Sequence, residues 1–348
     1  MITRRFLLAS AAALTFAAPV FAEEKLNVIA TFSILGDIVA NVGGDRVEVT
    51  TLVGPDGDAH VFQPAPADAE AVAGAQVIVT NGLGFEGWMD RLVEASGTTA
   101  ALISASEGVR PIAFGDEGNA DQAGHDDHDH DDHAEEAGHD DHDHGEHAES
   151  AGHEGHDHAD HADEAGHEGH DHGAFDPHAW QSVTNVALYV GNIERGLAAA
   201  DPEGAETFKA NATAYLAELD ALDAEIRAAV AALPEDRRTV VTSHDAFGYF
   251  AADYGLTFVA PQGLSTEAEA SAQDVAALIT QIREAGIAAV FVENIADRRL
   301  LDQIAAESGA AIGGTLFSDA LSGPEGPAAT YLAMMRHNLS QLTAALTN

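Results

Sequence analysis

Leu26-Asn27-Val28-Ile29-Ala30-Thr31-Phe32 is an apolar run of the length of one buried strand, and Ile34, Ile38 and Val39 follow it at helical spacing. This strand-then-helix unit recurs along the chain. Val47 to Val53 reads as a second strand and Gln76-Val77-Ile78-Val79-Thr80 as a third, with a helix around Trp88 to Ala95. Pro202 to Leu233 reads as one long helix, because Pro202 suits a first helical position and Pro234 ends the run. At 1.5 Å per residue such a helix spans roughly 45 Å, longer than a small domain is wide. Beyond it the alternation resumes. Strands are expected at Thr239-Val240-Val241-Thr242, Leu256 to Ala260, Ala288 to Val292 and Ala310 to Gly314. Helices are expected from Asp245, Ala272 and Asp297, and over Pro327 to Leu346. The pattern predicts an α/β fold, with two (β/α) lobes of mainly parallel sheet joined by a long rigid helix.

The first residues read as targeting, not fold. Arg4 and Arg5 precede an apolar run from Phe6 to Val20, and Val20-Phe21-Ala22 offers a small residue for cleavage near Ala22. Thr3-Arg4-Arg5-Phe6-Leu7-Leu8 also fits a loose twin-arginine pattern, one that ordinary secretion signals share. The expected organisation is a signal peptide at 1–22, an N-terminal lobe at 23–201, a linking helix at 202–233 and a C-terminal lobe at 234–348.

Cysteine is absent, so neither a disulfide nor a thiolate ligand is available, nor a cysteine for lipid attachment. The exported chain is therefore expected to be soluble and unanchored in the periplasm of a Gram-negative cell. Its formal net charge of −43 repels nucleic acid and anionic lipid and attracts cations. A nucleic-acid partner is excluded on this ground.

Composition changes abruptly over 116–172. That stretch holds 15 of the 19 histidines and 22 acidic residues, with no lysine or arginine. Too few apolar side chains remain for it to fold alone, so it reads as a disordered His/Asp-rich insertion in the N-terminal lobe. Ala-Gly-His recurs at Ala123, Ala137, Ala151 and Ala165, a period of 14 residues. The histidines keep their offsets. They are His125, His128, His130 and His133, then His139, His142, His144 and His147, then His153, His156, His158 and His161, and last His167, His170 and His172. Imidazole beside carboxylate at repeated offsets suits many exchangeable, auxiliary zinc sites of modest affinity.

Outside the repeat four histidines remain. His60 follows a strand, in Gly57-Asp58-Ala59-His60. His178 opens a helix, in Asp176-Pro177-His178-Ala179-Trp180. His244 lies where a strand meets a helix, in Thr242-Ser243-His244-Asp245. Asp319, in Phe317-Ser318-Asp319, holds an equivalent place in the last α/β unit. In such sheets ligands bind beyond the carboxyl ends of the strands. One histidine at a helix start is more often a structural hydrogen-bonding group than a ligand. His337, on the last helix, reads as a surface residue, and Trp88 and Trp180 as packing residues. Glu293 and Asp245 are both candidates to support His244 from behind.

The ordered motifs resemble those of the zinc- and manganese-specific solute-binding proteins of ABC importers, most closely the zinc-binding type. Gly54-Pro55-Asp56-Gly57-Asp58-Ala59-His60 is similar to the family's first ligand motif, followed by Asn81-Gly82-Leu83-Gly84-Phe85-Glu86-Gly87-Trp88. Asp176-Pro177-His178-Ala179-Trp180 resembles the second, Thr242-Ser243-His244-Asp245-Ala246-Phe247 the third, and Phe317-Ser318-Asp319-Ala320-Leu321 the fourth. The resemblance runs from about Leu26 to Leu346 and is interrupted by the repeat. It implies a metal site between two lobes, with His60 and His178 from one lobe and His244 and Asp319 from the other. Two departures stand out. Some zinc-binding relatives carry an acidic residue where this chain has Ala59, which favours Asp319 as fourth ligand, with water as its substitute. Gln181-Ser182-Val183 replaces a proline-containing continuation.

Three imidazoles and a carboxylate suit tetrahedral zinc, whereas manganese prefers more oxygen; copper and nickel also bind nitrogen sites tightly. The expected function is periplasmic capture of Zn²⁺ as a transported ligand and its delivery to the membrane permease of a zinc ABC importer. The His-rich loop would collect zinc. The protein is expected to be monomeric, with a periplasmic metallochaperone as a further candidate partner. A periplasmic zinc buffer or an adhesin on the same fold is the alternative. A zinc hydrolase fits less well, for no His-Glu-x-x-His run or Gly-x-Ser-x-Gly elbow is present.

Overall fold

The computed structural model describes residues 25–113, 175–287 and 289–347. The proposed signal peptide and every histidine of the repeat lie outside the described residues.

The first lobe opens with β1 (Leu26–Phe32), α1 (Ser33–Gly43) and β2 (Val47–Val53). It continues with α2 (Pro66–Ala73), β3 (Val77–Thr80), α3 (Met89–Ser96) and β4 (Ala101–Ser104). All pairings are parallel and the strand order is β2-β1-β3-β4. Apart from Asn27, β1 is buried along its whole length, as expected of a strand covered on both faces. At the far end of the lobe an antiparallel bridge joins Ala113 to Phe175, and the Asp176 N–H donates to the Ile112 carbonyl at 2.8 Å.

Two helices follow, α4 (Val183–Ala200) and α5 (Ala205–Ala231). Ser182 caps α4, its hydroxyl accepting from the Asn185 N–H. The predicted 202–233 helix is shorter than expected. Pro202–Gly204 forms a 3₁₀ turn over Asp201, and α5 proper has 27 residues, about 40 Å. Its buried stripe is Phe208, Tyr215, Leu219, Leu222, Ile226 and Val230.

The second lobe comprises β5 (Thr239–Val241), α6 (Gly248–Tyr254), β6 (Thr257–Val259), α7 (Ala272–Ala285), β7 (Ala289–Glu293), α8 (Arg298–Ser308), β8 (Ala311–Leu316) and α9 (Tyr331–Thr347). Its order, β6-β5-β7-β8, is again parallel and repeats the connectivity of the first sheet. Two predicted helix starts are corrected. α6 begins at Gly248, not Asp245, because His244 is still bridged to Gln262 and the Asp245 N–H donates to the Gly263 carbonyl. α9 begins at Tyr331, not Pro327, where Asp37 of α1 accepts the Tyr331 N–H.

One continuous core runs from the first sheet through α1, α4, α5 and α9 to one face of the second sheet. Ala289 and Phe291 of β7 point into it. Val290 and Val292 point the other way, into a smaller core with Val275, Ile279 and Ile282 of α7 and Leu301 and Ile304 of α8. Among the described residues no helix is long and apolar enough to cross a membrane.

Candidate metal centre

Three of the four residues singled out in the sequence lie beyond the carboxyl end of a strand, and the fourth, His178, lies just before a helical turn. His60 stands after β2, His178 before the 3₁₀ turn Ala179–Gln181 that precedes α4, His244 after β5, and Asp319 after β8. The structure brings all four together, and their donor atoms lie within 4.8 Å of one another. His60 Nε2 is 3.3 Å from His178 Nε2 and 3.2 Å from Asp319 Oδ2. His244 Nε2 is 3.1 Å from the same oxygen. Donors about 2.0–2.1 Å from a tetrahedral zinc lie about 3.3 Å from one another, so these spacings suit a small cation at the centre. His178, His244 and Asp319 are fully buried, and the His60 side chain is 5% exposed, which makes it the outer wall.

Two of the imidazoles have a carboxylate behind the ring, and the third is held through its backbone. Asp176 Oδ1 accepts the His178 N–H and lies 2.7 Å from His178 Nδ1, which leaves Nε2 turned to the centre when Nδ1 carries the proton. Glu293, the last residue of β7, accepts the N–H groups of Ser243 and His244 with Oε1, at 2.7 and 2.9 Å. Its Oε2 is 2.7 Å from His244 Nδ1, an ionic contact not aligned as a hydrogen bond. Glu293, one of the two candidates behind His244, thus reaches its ring. Asp58 accepts the His60 N–H at 2.9 Å, and Trp88 Nε1 donates to the Ala59 carbonyl at 2.9 Å.

A buried polar network sets the His178 loop. Asn81 donates to the Pro177 carbonyl at 2.8 Å and accepts from the Tyr189 hydroxyl. Glu86 in turn accepts the Asn81 N–H and the Thr31 hydroxyl, both at 2.6 Å. Burial pushes the Glu86 carboxyl up, against these donors, which hold it down. Gly82, beside them, has φ of 87° and packs so closely on Ser104 and Ser106 that a side chain would collide.

Trp180 is a packing residue, as expected, but a structured one. Its ring meets Phe32, Phe85 and His178 at centroid distances of 4.9, 4.8 and 5.3 Å. Its Nε1 and Gln181 Nε2 both donate to the Ser318 carbonyl, next to Asp319, at 2.8 and 2.7 Å. The Gln181 that departs from the family pattern thus ties the His178 loop to the opposite lobe. His337 lies half-buried on the surface of the last helix. Its Nε2 lies 3.1 Å from the Thr315 carbonyl and its ring meets Phe317 edge-on.

The electrostatics favour a cation. Burial alone would strip the His244 imidazole of charge, yet the Glu293 and Asp319 carboxylates hold its pKa well above the ordinary range. Burial would likewise raise the Asp319 carboxyl, but His244 and His178 hold it well below. Asp319 Oδ1 is buried, accepts no hydrogen bond, and lies 3.7 Å from His178 Nε2. A buried carboxylate oxygen without a donor is costly unless positive charge stands beside it.

Comparison with known proteins identifies the family. The family model described as ZnuA, zinc-uptake complex component A, periplasmic, matches residues 28–345. The manganese-binding lipoprotein MntA of Halalkalibacterium halodurans is 30% identical over 93% of this chain and 89% of its own length. The iron-binding protein YfeA of Yersinia pestis is 30% identical over 94% and 88%. Among solved structures, the periplasmic zinc-binding protein TroA of Treponema pallidum superposes with a TM-score of 0.72 at 27% identity, covering 92% of this chain and 99% of that one. The manganese-bound periplasmic metal-binding protein of Candidatus Liberibacter asiaticus gives 0.70 at 27% identity, over 92% and 100%. The two-lobed fold, the central cluster and the match along nearly the whole chain place it in one group: the chain belongs to the ZnuA family of periplasmic metal-binding proteins, which are the solute-binding components of ABC importers and not enzymes.

Proposed function

We propose that this protein is the zinc-specific member of its importer: it captures Zn²⁺ in the periplasm with His60, His178, His244 and Asp319 and releases it to the membrane permease. The observation that supports zinc most directly is the donor set, three imidazole nitrogens and one carboxylate, with three of the donor pairs 3.1, 3.2 and 3.3 Å apart. The reading includes cleavage near Ala22, lobes bounded at 23–201 and 234–348 around a 202–233 linker, and a monomer. It also includes a soluble periplasmic form, since the sequence holds no cysteine to carry the lipid of the lipoprotein relatives. The 15 repeat histidines would collect zinc at lower affinity and pass it inward, or to a metallochaperone.

Manganese or iron is the second reading, favoured by the names of the relatives and by the uncommitted Asp319 Oδ1, which could add a fifth donor. Calorimetric titration with zinc, manganese and iron(II) separates them. We expect one tight zinc equivalent and several weaker ones, and loss of the weaker class alone when 121–172 is deleted. Tighter binding of manganese than of zinc would reverse the assignment of the cargo.

Glu293→Gln keeps an acceptor for the Ser243 and His244 N–H groups but removes the charge behind His244. Supporting partners of this kind are worth about 10–100-fold in metal affinity. An affinity for zinc within twofold of the parent would show that Glu293 serves the backbone only.

A further inference from the structure

His60 is the one member of the cluster that is not fully buried, and it sits on a loop instead of at a strand end. That loop is bonded to the opposite lobe at three points. The Asp56 N–H donates to the Leu321 carbonyl at 2.8 Å, from a residue with φ of 55°. Asn294, just past β7, donates to Asp56 Oδ1 at 3.1 Å. The Thr266 hydroxyl, on the segment between β6 and α7, donates to Asp58 Oδ2 at 2.6 Å. Asp58 is thus shared: one carboxylate oxygen holds the His60 backbone and the other holds the second lobe.

We propose that Asp58 is a positioning residue for His60 and that its bond to Thr266 is a latch which slows departure of the bound metal. The proposal rests on the reading of His60, His178, His244 and Asp319 as the metal site. A cation behind His60 leaves only if that imidazole swings out or the lobes part. Swinging the loop moves Asp58 away from Thr266, and parting the lobes does the same. The bond therefore belongs to the closed, loaded arrangement, and its loss raises the dissociation rate and leaves the association rate almost unchanged. Neither Asp58 nor Thr266 is a member of the metal cluster, so the donor set stays whole.

The test uses the full chain loaded with zinc and mixed rapidly with an excess of a chromophoric chelator. The weak sites empty first, and the slow phase of one equivalent reports the central site. Thr266→Val is expected to speed the slow phase about tenfold, the factor that one hydrogen bond to a charged group is worth. Thr266→Ser, which restores the hydroxyl, should return to within twofold of the parent. Asp58→Ala, which loses both bonds, should be faster than Thr266→Val. The metal-free Thr266→Val protein should still unfold in one cooperative step, because the valine fills the same space and only one hydrogen bond is lost. A slow phase within twofold of the parent in Thr266→Val overturns the latch while leaving the site intact. A parent protein with no slow equivalent overturns the site and the latch together.

Discussion

His244→Ala is expected to abolish the tight metal equivalent, lowering affinity by at least about 100-fold. The bound is conservative, because removing only the carboxylate behind a coordinating imidazole already costs about 10–100-fold. His244 contributes more than one donor. It is the buried group that balances Asp319, 3.1 Å away, and Glu293, 2.7 Å away. Without it two buried carboxylates face a cavity with less positive charge to hold them ionised. Metal analysis after dialysis, in a protein lacking 121–172, is the measurement. Retention of one equivalent of zinc by this variant would refute the assigned donor set. His178→Ala should behave in the same way, since its ring is buried and hydrogen-bonded to Asp176 and its Nε2 belongs to the same cluster.

Trp180→Ala should cost about 3–5 kcal/mol of stability, the usual range for deleting a fully buried aromatic side chain. The ring fills the space between Phe32, Phe85 and His178, and its Nε1 crosses to the Ser318 carbonyl. Urea unfolding of the metal-free protein should show a lower midpoint at an unchanged slope. Trp180→Phe keeps most of the apolar contact and loses the bond to Ser318, so it should recover more than half of the deficit. A loss below about 1 kcal/mol in Trp180→Ala would mean that the aromatic cluster does not support the two lobes.

How much of this was legible in the sequence follows from burial. β1 ends where its apolar run ends, as a strand buried on both faces does, while β2, at the sheet edge and buried only at Val47 and Val53, was legible by its alternation of Val47, Val49 and polar residues. The four site residues were legible by motif and order. The elements that escaped notice carry weak signals. α2 buries only Val72, and β4 is four residues long with one of them buried. The start of α6 escaped because tertiary bonds to Gln262 and Gly263 hold Asp245 out of the helix. The supporting groups were the least legible. Glu293, 49 residues from His244, was one of two candidates because it ends a strand, but Thr266 lies 208 residues from Asp58 and no local pattern links residues so far apart. Asp176 was in plain view beside His178, but its role depends on the direction of its side chain.

The bridge between Ala113 and Phe175 bears on how this protein can change over evolutionary time. It holds Ala113 and Phe175, the residues that flank segment 114–174, side by side, with Phe175 one residue before Asp176 and three before His178. Whatever lies between those two anchors, its length does not alter where the chain re-enters the lobe. Closing even a structureless segment costs only about 0.6 kcal/mol more for each doubling of its length. Tandem units of 14 residues can therefore be gained or lost by replication slippage with little penalty to folding, and with no shift in the imidazole of His178. The number of histidines in the repeat is thus free to change while the central site stays as it is.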